Sequence, residues 1–460
     1  MTKRADTIVA PATAPTAGAL AIVRLSGPLC PEIARAAFGN RQNPPPTRRA
    51  TLGVWHDTGG NPLDQCILVL YAAPHSYTGE AVLEITCHGN PFIVSRILGD
   101  CLKRGCRSAE PGEFTRRAFL NGRIDLAQAE AVVDTIHARS ERALAIAQRL
   151  LSGELGRKVA AWTDTLIGIL ASLEAYIDFP EEDLPDEERG GPAAALRALA
   201  TELSRAADTA RLETVLRDGA RIVISGAPNA GKSSLLNALL GENRALVSAT
   251  SGTTRDFIRE RMSIGAHFVQ IVDTAGLRPP GVSSGADSEA EHLGMARSHE
   301  QIAGADFHLL ILDASAPPPN LPQDFPGILP PSRTLLVLNK IDLPTHPATI
   351  ALWQEFSRIR LSAKTGEGIA DFKQSLAQKL ENEGVLPNGD ELVVGTRHAS
   401  HLRHAASHLK KAADTLHGST ATELAASDAR LALESLGEII GRVDNEQLLD
   451  KLFSSFCIGK

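Results

Sequence analysis

The sequence predicts a multidomain α/β plus α protein: an N-terminal α/β domain, a helical domain in two halves, and between them an inserted domain with a doubly wound sheet. Three observations predict this. Short β-branched runs punctuated by Gly and Pro fill the first 120 residues, and an apolar stripe at helical spacing takes over from Leu126. From 221 to about 380, apolar strands alternate with polar loops and helices before helical texture returns. At roughly 150 residues per domain, a chain of 460 residues is too long for one small binding module. Its 43% hydrophobic and 22% charged residues exclude a disordered, fibrous or collagen-like chain.

In the first domain, residues 1–120, AIVRL (21–25), ILVLY (67–71) and AVLEI (81–85) read as strands and 91–104 as a helix. Leu126, Ala129, Val133 and Ile136, then Leu144 through Leu155, Val159, Trp162, Leu166, Ile169, Leu173 and Tyr176, step by three or four. That spacing predicts long helices, broken near SGELG (152–156), with Trp162 in the core. FPEEDLPDEERGG (179–191) concentrates Pro, Gly and carboxylates and predicts a turn, after which a helix runs to about Arg217. Residues 121–217 thus form the first helical half. In 218–380 the strands RIVIS, FVQIV, FHLLIL, TLLVL and RIRLS are each followed by a loop carrying polar chemistry, with the Pro-rich 317–331 as a surface loop. Residues 381–460 form the second helical half.

No run approaches the ~18 apolar residues of a membrane span; TLIGILASL (165–173) is too short, and the N-terminus lacks the order of a signal peptide. A cytoplasmic protein without a membrane partner is expected. The six cysteines, at 30, 66, 87, 101, 106 and 457, contain no CxxC pair, which predicts mostly buried thiols without disulfides or structural zinc. A net charge of -7 argues against a protein that coats nucleic acid, while leaving room for a local basic patch for one defined RNA. His398, His401, His404 and His408, spaced by three and four, read as a solvated helix face. Arg116 and Arg117 fit either RNA contact or a domain junction.

The chemistry is densest in the inserted domain. GAPNAGKS (226–233) satisfies GxxxxGK[ST] between a strand and a helical run. Gly226 and Gly231 let backbone N–H groups turn toward phosphates, Lys232 neutralises their charge, and Ser233 can ligate Mg2+. DTAG (273–276) follows, with Asp273 reaching magnesium through water and Gly276 offering an N–H to the γ-phosphate. NKID (339–342) and SAK (362–364) come next. A carboxylate at Asp342 accepts from guanine N1–H and its 2-amino group; adenine offers neither donor, which favours GTP over ATP. Asn339 and the Ala363 N–H complete base recognition by resemblance to translation-factor-like GTPases, and Thr254 resembles their magnesium-binding threonine. Leu277 stands where many such proteins carry a water-orienting Gln, and its side chain cannot serve. Asn229 is similar to the asparagine of cation-dependent GTPases, where K+ lies near the phosphates, with Ser248, Thr250 and Thr253 closing over it; a plain turn residue is the other reading. The expected nucleotide set is Asn229, Ala230, Gly231, Lys232, Ser233, Ser234, Ser248, Ala249, Thr250, Ser251, Gly252, Thr253, Thr254, Asp273, Thr274, Ala275, Gly276, Asn339, Lys340, Asp342, Ser362, Ala363 and Lys364.

DTIVAPAT (6–13), IVRLSG (22–27), SYTGE (76–80), PGEFTRRAFLNGRIDLAQAEAV (111–132), IDFPEED (177–183), SGTTRD, DTAGLR and FSSFCIGK (453–460) together resemble the MnmE, or TrmE, family of tRNA modification GTPases over essentially the whole chain. The resemblance implies a tetrahydrofolate-binding-like N-terminal domain that also dimerises, and a homodimer whose G domains associate with GTP and potassium bound. It implies a flavoprotein partner, MnmG (GidA), in a heterotetrameric or larger complex that adds an aminomethyl or carboxymethylaminomethyl group at C5 of the wobble uridine of certain tRNAs. The one-carbon donor is a 5-formyl or 5,10-methylene tetrahydrofolate, and Arg24, Glu84, Arg123 and Lys460 are its implied contacts. Cys457 is the implied thiol of the modification chemistry. Glu291 aligns with the family's catalytic switch glutamate, with Glu289 as a competitor. The alternatives are a ribosome-assembly GTPase, a switch without one-carbon chemistry, and a folate-dependent one-carbon transferase acting on another acceptor.

Overall fold

A computed structural model describes residues 6–38, 45–178, 186–241, 259–273, 304–319, 329–386, 392–418, 421–441, 449, 452–454, 456 and 459. The chain is multidomain, α/β plus helical, and clusters into two compact units. One comprises Met1–Val133, Leu150–Asp164 and Leu436–Lys460; the other comprises Asp134–Arg149 and Thr165–Ser435.

In the first unit β1 (Ile8–Pro11), β2 (Leu20–Ser26), β3 (Thr51–His56), β4 (Pro62–Tyr71), β5 (Val82–His88) and β6 (Arg107–Ser108) form one sheet in the order β3-β4-β5-β2-β1-β6. All pairs are antiparallel except β1 with β6. Side chains alternate along these strands, as the pleat requires. Val23, Leu25, Leu68 and Ile85 are buried in a core with α1 (Cys30–Ala37), α2 (Pro91–Lys103) and Trp55. Arg24 and Glu84, which sit directly opposite each other in the β2–β5 register, therefore share the other face. Asn90 caps α2 by accepting from Phe92 N–H, with Pro91 at its first position. α3 (Glu113–Leu120) starts at the left-handed Gly112, where a Cβ would stand 2.7 Å from the Phe453 carbonyl oxygen. Only glycine fits there.

The helices α4 (Leu126–His137), α5 (Glu141–Leu151) and α6 (Glu154–Asp178) follow the predicted stripe, and the break falls at Ser152 and Gly153. Trp162 is buried, as its place on the stripe requires. The acidic segment behaves differently from expectation. Residues 179–185 lie outside the described residues, but α7 (Asp186–Asp208) begins inside the supposed turn and carries Pro192 within it. Carboxylates near a helix N-terminus complement its dipole, which explains why this composition starts a helix. α8 (Arg211–Asp218) then leads into β7 (Ala220–Ser225).

The second unit holds the doubly wound sheet. With α9 (Lys232–Gly241), β8 (Arg259–Ile264), β9 (His267–Asp273), β10 (Phe307–Asp313), β11 (Thr334–Asn339), α10 (Pro347–Ile350), β12 (Ser357–Arg360) and α11 (Ile369–Asn382), the strand order is β12-β11-β10-β7-β9-β8. All pairs are parallel except the edge strand β8. Ile222, Ile224, Leu309 and Ile311 point to one apolar layer, and Val223, Leu310 and Leu312 to the other. Burial on both faces is why these strands read as continuous hydrophobic runs. β3 and β8, each exposed on one side or at an edge, lacked that signal.

The chain re-enters helix with α12 (Thr396–Gly418) and α13 (Thr422–Ile439), and α12 packs along α7. Two side chains tie the segments that flank the insert: Thr209 Oγ1 accepts from Val394 N–H at 3.1 Å, and Glu213 accepts from Thr396 N–H at 2.6 Å. The four histidines do not form a solvated face. His398 is buried with its Nδ1 on the Gly395 N–H, and His408 pairs with Asp428 on α13 at 3.2 Å, whereas His404 is exposed. Spacings of three and four drift around a helix over ten residues, so the ends of such a run face different surroundings.

Candidate functional site

β7 lies between β9 and β10, so the strand order reverses at its carboxyl end, the position where doubly wound sheets open a ligand crevice. The loop leaving β7 is shaped by two glycines. Gly226 has φ +148° and Gly231 φ +95°; a Cβ at the first would collide with the Ile311 carbonyl oxygen, and at the second with the Asn339 amide. Asn229, exposed at the turn, has φ 63°, a conformation that Asn tolerates better than most residues. The loop ends on α9, whose first N–H groups have no carbonyl within the helix and favour an anion. Lys232 folds over the loop, its Nζ donating to the Gly226 and Ala227 carbonyls at 2.9 Å each. Ser233 and Ser234 are exposed on the first turn of α9. Positive charge, the N–H groups of the helix start and a hydroxyl thus converge, and the residues present fit a Mg2+–nucleoside triphosphate.

The NKID and SAK motifs sit on neighbouring strand ends. Asn339, buried at the end of β11, donates from Nδ2 to the Ala230 carbonyl at 2.9 Å and accepts the Ala363 N–H at 3.0 Å. One side chain thereby ties the GAPNAGKS loop to the NKID and SAK loops. Ser362 Oγ donates to Asp342 Oδ1 at 2.6 Å, which fixes the carboxylate. Selection of guanine requires Asp342 out of water, and its side chain is exposed, so a bound base must supply the burial. Lys364, in the SAK motif, is exposed.

Lys340, with φ 66°, donates to Asp313 Oδ2 at 2.6 Å, while Asp313 Oδ1 accepts from the Ser315 N–H and hydroxyl. The sequence motifs did not reveal Asp313; its place at the end of β10, level with Asn339 across the ladder, is the signal that could have. Burial works to raise the Asp313 pKa, but Lys340 and Ser315 outweigh it and hold the carboxyl below its ordinary 3.8. A lowered folded pKa contributes stability above the unfolded value and loses it as pH falls through the folded one. Asp313→Asn is thus expected to cost about 1 kcal/mol at neutral pH, since the pair is only partly exposed. The difference from the parent should shrink as pH falls below 3.8, which urea titrations across pH would check.

Asp273 ends β9 level with Ile224. Ser248, Ala249, Thr250, Ser251, Gly252, Thr253, Thr254, Thr274, Ala275, Gly276, Glu291, its competitor Glu289, Leu277, Cys457 and Lys460 lie outside the described residues.

The second cluster lies on the face of the first sheet opposite its core, where Arg24 and Glu84 are half-buried. Arg24 Nε donates to Glu84 Oε1 at 2.9 Å and Nη2 stands 2.8 Å from the same oxygen, with the guanidinium 5.9 Å from the Phe114 ring centroid. Tyr71, two residues from the Glu84 partner Val69, shares that face; burial and the bond to Glu84 push its phenol up. Alternation along ILVLY could have identified Tyr71. Arg24 Nη1 also donates to the Gly459 carbonyl at 3.3 Å, so the chain end reaches this pair from 435 residues away. Gly459, at φ +95°, packs where a Cβ would strike the Pro11 carbonyl oxygen. Arg123 is exposed beside Gly79 of SYTGE.

Arg117 resolves toward structure. Its guanidinium donates to Glu80 at 2.9 Å, Glu113 at 3.0 Å and Asp6 at 2.7 Å. Burial would raise the Glu113 carboxyl, but Arg107 and Arg117 hold it below its ordinary range. The described cysteines are buried and free; burial pushes Cys30 and Cys66 up to about 12 and Cys87 and Cys106 up to about 11, leaving them protonated and inert. Among the described residues no helix is long and apolar enough to cross a membrane.

The family profile of the MnmE helical domain matches residues 126–457, and that of the GTP-binding protein TrmE N-terminus matches residues 7–123. The tRNA modification GTPase MnmE of Opitutus terrae is 48% identical over 456 residues, covering 99% of both chains. That of Akkermansia muciniphila is 41% identical over 465 residues, covering 100% of both. Among solved structures, the G domain of the T. maritima FeoB iron transporter matches 35% of this chain and 99% of its own at 21% identity, with a TM-score of 0.24, too slight a likeness to bear on the fold.

Proposed function

Starting from the fact that this chain belongs to the MnmE (TrmE) family of tRNA modification GTPases, we propose that its GTP hydrolysis drives folate-dependent modification of the wobble uridine of certain tRNAs. The chain is a GTP hydrolase that takes part in tRNA modification, using GTP and Mg2+. The observation that carries the reading is the single assembly of phosphate loop, NKID and SAK loops through Asn339.

In this reading Lys232 and the first N–H groups of α9 bind the phosphates, Ser233 ligates magnesium, and Asp342, held by Ser362, selects guanine. Magnesium supplies charge neutralisation on the phosphates, and potassium supplies the positive charge that Leu277 cannot. Asn229, Ser248, Thr250 and Thr253 hold the potassium, Thr254 and Asp273 complete the magnesium site, and Glu291 orients the attacking water. The protein acts as a homodimer with the flavoprotein MnmG in a heterotetrameric or larger complex, in the cytoplasm. Residues 1–120 hold the tetrahydrofolate derivative, 218–380 form the G domain, and 121–217 with 381–460 form the helical domain. Arg24, Glu84, Arg123 and Lys460 contact the folate, where the Arg24–Glu84 pair offers a carboxylate for the amino-pterin edge and a cation beside it. Cys457 serves the modification chemistry.

GTP hydrolysis should run at least tenfold faster in potassium than in sodium, and Asn229→Ala should erase most of that difference. Equal rates in the two salts would discard the potassium site. The reading as a whole is tested by nucleoside mass spectrometry of tRNA from a strain lacking this chain, where the C5 modification should vanish and return on complementation. An unchanged nucleoside profile would defeat it. No observation in the described residues favours the ribosome-assembly alternative, and relatives matching end to end argue against it.

A further inference from the structure

We infer that the exposed face of α12 is a docking surface for the phosphate backbone of tRNA. The inference rests on the reading above for its partner and goes beyond it in naming the surface. At 3.6 residues per turn, Arg403, His404, Ser407, Lys410, Lys411 and Asp414 lie on one side of the helix, and all six are exposed. The opposite side, with Leu402, Ala405, Ala406 and Leu409, is buried.

This face gathers cations without the carboxylate partners that Arg107 finds in Asp6 and Glu113, Arg217 in Asp218 and Arg430 in Glu174. On α12, Lys410 and Lys411 have no carboxylate within ion-pair distance among the described residues. Arg403 is steadied instead by donating to the Ala207 carbonyl at 3.2 Å, and it too has no carboxylate partner among the described residues. The carboxylate on the face, Asp414, is already taken by Arg197 of α7 at 3.1 Å. A chain of net charge -7 thus keeps on one helix face three cations that have no carboxylate partner among the described residues. They span about 12 Å at ~1.5 Å per residue, a length over which one nucleic-acid strand presents several phosphates at about 3.4 Å per charge. Phosphates position a nucleic acid without reading its bases, so this face would hold tRNA while other residues reach the wobble base.

The test is binding of full-length protein to unmodified tRNA as a function of salt. The triple variant Arg403→Glu, Lys410→Glu, Lys411→Glu should bind about 10- to 100-fold more weakly at low salt. Its slope of log affinity against log salt should flatten by roughly 0.7 to 0.9 for each phosphate that is no longer neutralised. Lys103→Glu, exposed in the other unit, is the control for general charge and should bind like the parent. A triple variant with parental affinity and slope overturns the inference, as does an equal loss in Lys103→Glu. Retained tRNA binding with lost association to the flavoprotein assigns the face to a protein partner and also overturns it. Failure of the parent to bind tRNA at all overturns the functional reading together with the surface, so the two failures are distinguishable.

Discussion

Replacing Asp342 by Asn is expected to exchange guanine for xanthine nucleotides as the preferred substrate. In the proposed role the carboxylate accepts two hydrogens from guanine, and Ser362 fixes it by donating to Oδ1 at 2.6 Å. An amide in the same place turns one acceptor into a donor, which repels the guanine 2-amino group and suits the C2 carbonyl of xanthine. Sites built around such bonds reject the mismatched ligand by about 10^4, so kcat/KM for GTP should fall by about that factor while the value for XTP rises. Steady-state kinetics with both nucleotides checks it. The effect should exceed that of Asp313→Asn, because Asp342 is the proposed base contact whereas Asp313 is engaged by Lys340. An unaltered preference for GTP would mean that the base is read by other groups.

Lys232→Ala should lower kcat for GTP by about 10^2 to 10^3, the usual result of removing one electrostatic donor from a preorganised site. The side chain is buried and its ammonium lies over the loop, on the Gly226 and Ala227 carbonyls, so it approaches phosphate without a large search. Arg should rescue poorly, since a planar fork does not fit where a compact ammonium is enclosed by backbone. Phosphate release at saturating GTP measures the loss. A normal melting temperature would show that the fold is intact.

Much of this site was legible in the sequence because its parts are local. The phosphate loop needs glycine at 226 and 231 for reasons confined to eight residues, and the run GAPNAGKS carries them. The strands of the inserted domain were legible because they are buried on both faces and read as apolar runs. Contacts between distant segments were not legible. Asn339 bonds Ala230 across 109 residues, and Arg24 meets Gly459 across 435; no local pattern records either. The start of α7 was misread because Pro and acidic residues favour turns and helix N-termini alike. The histidines were misread because spacing on a helix fixes direction but not what lies opposite, and only the packed structure places Asp428 beside His408.

The most direct measurement is a reconstitution of purified chain, flavoprotein, unmodified tRNA, methylene-tetrahydrofolate and an amine donor, ammonium or glycine, with the wobble nucleoside quantified by mass spectrometry. The account predicts that C5-modified uridine accumulates only when GTP and potassium are present, and that Lys232→Ala leaves the uridine unmodified. Full modification with Lys232→Ala, or with GTP withheld, would contradict it.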